Sequence, residues 1–82
     1  MNQPRPIREI AADIARAWPI PNYAARPYLE ALHALGTVQD MYGCDDGRSV
    51  VLYFLSNANG FRGSMATALK AELRACLRGV RS

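Results

Sequence analysis

With 82 residues, half of them apolar and 21% charged, the chain has the balance of one globular domain over 1–82 and is too short for two. Its hydrophobicity excludes a disordered polymer. The net charge of +3 rests on nine arginines and one lysine, an excess too small to specify a nucleic-acid partner by itself.

The first predicted element follows a polar lead ending in Pro6, a residue suited to a first helical turn because its missing N–H is no loss there. Ile7, Ile10, Ala11, Ile14 and Trp18 recur at three- and four-residue spacing, opposite Arg8, Glu9, Asp13 and Arg16, and predict an amphipathic helix. Pro19 and Pro21 end it. After a stiff connector, Pro27 opens a second helix whose apolar face is Tyr28, Leu29, Leu32 and Leu35, with Gly36 marking its end. Thr37 and Asp40 have the spacing of a capping box, which predicts one further short turn over 38–42.

Gly43-Cys44-Asp45-Asp46-Gly47 reads as a polar turn in which Asp45 or Asp46 caps the next helix. The run Val50 to Leu55 is β-branched and aromatic, so local propensity favours a strand. A helix is nevertheless predicted, apolar all round and central, because no second strand-like run is present to pair with it. Asn57 to Gly60 ends this third helix. Ser64 then caps a fourth, whose apolar face is Ala66, Leu69, Leu73, Cys76, Leu77 and Val80, with Gly79 as its terminator. The expected fold is an all-α bundle of about four helices; the alternative is an α+β fold with Val50–Leu55 as a strand.

The most ordered polar feature is Lys70, Arg74, Arg78 and Arg81, which fall within an arc of roughly 80° on the last helix. This basic ridge, extended by Arg62 and Arg48, fits nucleic-acid phosphates or an acidic protein surface; the bland reading is a solvated face complementing the helix dipole. Phe61-Arg62-Gly63 could present a stacking ring, but a ring just before a helix more often packs inward.

Catalytic and metal chemistry find little support. His33 is the lone histidine, placed on a surface or boundary, and neither Cys44 nor Cys76 has a spacing that pairs it with His33. Two cysteines and one histidine fall a ligand short of a tetrahedral site, so no metal, cofactor or small-molecule substrate is expected, and the chain reads as a non-enzyme. The longest uncharged apolar run, Ser49 to Leu55, is far below the ~20 residues that cross a bilayer, and charges scattered between Met1 and Trp18 leave no secretory core. A cytoplasmic protein follows, its cysteines free thiols used as small apolar residues.

The segment Asp40 to Ala58, containing Tyr53-Phe54-Leu55-Ser56-Asn57-Ala58, together with Phe61-Arg62-Gly63 and Lys70-Ala71-Glu72-Leu73, resembles small proteins encoded by actinobacteriophages and related actinobacterial mobile elements. The resemblance implies a phage or mobile-element source and action inside the host bacterium; it implies no chemistry. The expected function is an interaction module that binds a host or phage protein, or itself. The alternative is a nucleic-acid-binding accessory protein using Arg62, Lys70, Arg74, Arg78 and Arg81.

Overall fold

Ile7, Ile10, Ala11 and Ile14 lie fully buried on one side of α1 (Ile7–Ala17), as their spacing requires. The computed structural model describes residues 5–78. Pro6 sits at the N-cap of α1, and the helix closes at Trp18, whose amide donates to the carbonyl of Ile14.

The second helix, α2 (Arg26–Leu32), carries Pro27 in its first turn and buries Leu29, Ala31 and Leu32. It stops at Leu32, four residues before the expected Gly36. The amides of Ala34 and Leu35 reach back only three residues, tightening the last turn. The carbonyls of Leu35 and Gly36 accept the Arg8 and Ile7 amides, each at 2.9 Å. The chain just beyond α2 thereby satisfies two of the otherwise partnerless N–H groups that open α1.

Thr37 and Asp40 form one of the two bonds of a capping box, the Thr37 amide donating to Asp40 Oδ2, which also accepts from Gly36, while Thr37 Oγ1 takes the Gln39 amide in place of that of Asp40. No helix follows, which corrects the short helical turn expected over 38–42. The chain instead enters a two-residue antiparallel hairpin, β1 (Met41–Tyr42) and β2 (Asp45–Asp46), reversed at Gly43 with φ +62°.

Val50–Leu55 is helical, inside α3 (Gly47–Asn57). Asp46 caps it by accepting from the Ser49 amide at 3.1 Å. Its inward residues are Gly47, Val50, Val51 and Phe54, a helical period, so tertiary packing overrides strand propensity. The expectation that this helix is apolar all round and buried is corrected, for Leu52 and Tyr53 are about half exposed, at 47% and 48%.

The last helix, α4 (Ser64–Arg78), buries Ala66, Leu69, Leu73 and Cys76. Ser64 is its first residue rather than its cap. Gly63, at φ +107°, takes the capping place, its carbonyl accepting the Thr67 amide at 2.9 Å. Gly79, Val80 and Arg81 lie outside the described residues.

The helices close a ring of contacts, α1 with α4, α4 with α3, α3 with α2 and α2 with α1. All four contribute to one core, into which Ala25, Leu35, Ala58 and Phe61 also project from connections. Trp18 lies flat against Phe61, centroids 5.1 Å apart, and meets Phe54 edge-on at 6.4 Å. Outside the core, Arg5 fastens α1 to α4: its guanidinium donates to both carboxylate oxygens of Glu72, at 2.9 and 3.0 Å, and to Asp13 at 2.9 Å. The Glu72 bonds, then those of Asp13, hold its proton more firmly than in a free arginine.

Candidate functional site

Two surfaces stand out, one cationic and one rich in tyrosine. The cationic one is built from α4 and the loop before it. Arg74 and Arg78 lie one turn apart on the exposed side of α4, and Arg62 projects from the α3–α4 loop, its Nε donating to the Asn59 carbonyl at 3.3 Å. Among the described residues no carboxylate comes within ion-pairing distance of any of the three. Glu72, the acid of α4, is held by Arg5.

Lys70 heads the expected ridge but has a different task. Its ammonium donates to the carbonyls of Ala58 at 2.9 Å and Phe61 at 2.8 Å, and lies 5.8 Å from the Phe61 ring centre. The lysine therefore ties α4 to the chain leaving α3, adding a second donor to the Ala58 carbonyl, which also accepts the Phe61 amide, and bonding the Phe61 carbonyl in the loop beyond. Burial, and then the charges of Arg74 and Arg62, push its proton affinity below the ordinary lysine range. The bond to the Phe61 carbonyl brings the Lys70 ammonium beside the Arg62 backbone, and Arg74 follows Lys70 by one turn of α4. The structure thus gathers Arg62, Lys70 and Arg74, continues along the helix to Arg78, and leaves Arg81 outside the described residues. Arg48, at the other end of α3, has its amide bonded to the Val38 carbonyl.

The tyrosine-rich surface was not among the sites read from sequence. Tyr28 of α2 and Tyr53 of α3 pack ring against ring, centroids 5.5 Å apart. Beside Tyr28 an open trough of about 550 Å³ runs between the connector and α2, lined by Tyr23, Arg26, Pro27, Tyr28, Glu30 and Asn57. Tyr23 is 87% exposed. Asn57 is fixed by its amide group, which donates to the Tyr53 carbonyl at 2.8 Å. On the other flank of α2 a smaller hollow of about 270 Å³ is lined by Trp18, Pro19, Pro21, Leu29 and His33, among others. A helical wheel of Gly47 to Asn57 would have found the outward Leu52 and Tyr53. The joining of Tyr23 and Tyr28 depends on how the connector folds back, for which the sequence holds no signal.

The remaining chemistry-bearing residues are dispersed. His33 is exposed at the end of α2, Cys44 is exposed at the hairpin turn, and Cys76 is buried on α4. Cys44 therefore does not serve as the small apolar core residue that was expected. Burial, and then Glu72, raise the Cys76 thiol above its usual range and keep it protonated at neutral pH. Among the described residues no three His, Cys, Asp or Glu side chains converge as a metal site, and no helix is long and apolar enough to cross a membrane. Comparison with known proteins finds no matching family model, no matching curated protein and no matching solved structure.

Proposed function

We propose that this protein is a non-enzymatic docking module, encoded by a phage or mobile element and acting in the host cytoplasm, that binds a protein partner through its α2–α3 face. The observation that carries this reading is the Tyr28–Tyr53 ring pair, flanked by the exposed Tyr23 and by Leu52 on the same helix as Tyr53. Tyrosine supplies a large rigid contact area with a polar tip, and it is enriched at interface centres where charged residues are depleted. Exposed apolar side chains scattered singly need no explanation, but rings packed on one another at the surface form a contiguous patch.

The reading is tested by placing a photo-crosslinking amino acid at Tyr53 and, separately, at Arg16 on the outer side of α1. Irradiation in a host lysate and of the purified chain is expected to yield one discrete adduct from position 53 in one of the two settings, and none from position 16. Equal labelling from both positions, or no discrete adduct from position 53 in either setting, refutes it.

A further inference from the structure

The cationic surface of α4 uses none of the residues of the tyrosine face. Arg62, Arg74 and Arg78 carry full charges that no described carboxylate neutralises, and Lys70 beneath them is already committed to two carbonyls. A positive field left open in this way is complementary to a polyanion. We infer that Arg62, Arg74 and Arg78 form a contact surface for the phosphate backbone of duplex DNA.

Three features of the surface favour that partner, two of them over an acidic protein segment and one over a single strand. Protein interfaces are anchored by aromatic or aliphatic side chains at their centre, whereas the exposed neighbours of Arg74 and Arg78 on α4 are Thr67 and Ala71. These small side chains allow a rigid backbone to approach closely. Met65, the exposed large apolar residue of this helix, lies on its far side, roughly 140–180° around from the two arginines. Phosphate interfaces are, by contrast, polar and strongly positive. The third feature concerns the mode of binding. Phe61, the ring nearest the cluster, is 3% exposed and stacked on Trp18, so it cannot serve as a platform for unpaired bases. The contact is therefore to the backbone, and it is independent of base sequence.

Each phosphate neutralised releases condensed counterions, and the salt dependence of binding counts them. Three arginine contacts correspond to a slope of log K against log salt of about −2.7, or roughly a 40-fold loss of affinity between about 50 and 200 mM salt. The experiment is fluorescence anisotropy with a labelled random-sequence duplex and the full chain, titrated with salt, helix content being checked by circular dichroism. Combined substitution Arg62→Ala, Arg74→Ala and Arg78→Ala is expected to remove about 2.7 from the slope. The corresponding triple lysine variant keeps it, and Arg16→Ala, whose side chain pairs with Asp13, leaves it unchanged. No binding at about 50 mM salt overturns the inference, since backbone contacts of this kind are at their strongest there. So does an unchanged slope in a folded triple alanine variant, or tighter binding of polyglutamate than of the duplex. None of these results bears on the crosslink at Tyr53, so the two readings stand or fall separately.

Discussion

Replacing Gly47 by alanine adds one methyl group where the start of α3 crosses closely over the 37–38 backbone. A Cβ at this position would lie 2.8 Å from the carbonyl oxygen of Thr37 and 2.9 Å from the Cα of Val38. Both are backbone atoms, and the crossing is drawn tight by hydrogen bonds from the Gly47 amide to the Asp40 carbonyl at 2.7 Å and from the Arg48 amide to the Val38 carbonyl at 3.1 Å. A side chain could rotate away; this turn can withdraw only by stretching those bonds. Overpacking of this kind costs about 1–3 kcal/mol, and weakening two backbone hydrogen bonds adds about 1–2 kcal/mol. Alanine's better helix propensity returns at most about 1 kcal/mol, and less in a first turn. The middle of these ranges is a net loss of about 3 kcal/mol, which in a domain of this size lowers the melting temperature by roughly 12–24 °C. Thermal melts followed by circular dichroism measure it directly. A Gly47→Ala protein that melts within a degree or two of the parent, or above it, would show that the 37–40 turn yields freely and that the close crossing does not constrain the fold.

Two further predictions concern how the helix ends are closed. Lys70→Met keeps the apolar stem but leaves the Ala58 and Phe61 carbonyls without their ammonium partner; relief of burial and of repulsion from Arg62 and Arg74 offsets part of the loss, so the urea midpoint should fall by the equivalent of about 1–2 kcal/mol, and an unchanged midpoint would mean that water replaces the lysine at no cost. Asp40 and Asp46 are both held below the ordinary aspartate range, Asp40 by the Gly36 and Thr37 amides and Asp46 by the Ser49 hydroxyl and amide. A carboxylate whose folded pKa is depressed contributes stability that is fully present above its unfolded value, near about 3.9, and is lost as pH falls through the folded value. An Asp40→Asn, Asp46→Asn double variant should therefore have a flatter stability profile than the parent below about pH 4; parallel profiles would exclude these caps as the acid-sensitive groups.

The amphipathic helices were legible because their information is periodic. The α1 stripe and the α4 face could be read residue by residue, since spacing alone determines which side chains share a face. The third helix required a global argument, that a strand had no mate, because propensity over Val50–Leu55 pointed the other way. That argument gave the right element but the wrong burial: reading the run as apolar throughout overlooks the helical wheel, which sets Leu52 and Tyr53 beside the polar Arg48, Ser49 and Ser56, on the outward side. The premature end of α2 was hidden, because the Leu35 and Gly36 carbonyls just beyond it are held by amides of α1, about 28 residues earlier in the chain. Lys70 teaches the same lesson for the candidate site. Its i, i+4 alignment with Arg74 reads as a ridge, yet its charge is turned inward by two carbonyls that lie 9 and 12 residues away.

The pairing of α1 with α4 bears on how the chain must be made. The Arg5–Glu72 bond spans 67 residues, and the apolar stripe of α1 meets its main helical neighbour only in the last helix described. At translation rates of about 5–20 residues per second, that stripe emerges several seconds before its main partner arrives, with only the shorter α2 made in time to cover part of it. Through that interval α1 is a part-covered amphipathic segment, exposed to any chaperone or hydrophobic surface in reach. Closure of the core then waits for α4, so a message truncated anywhere before that helix would yield a product for proteolysis and not a smaller domain.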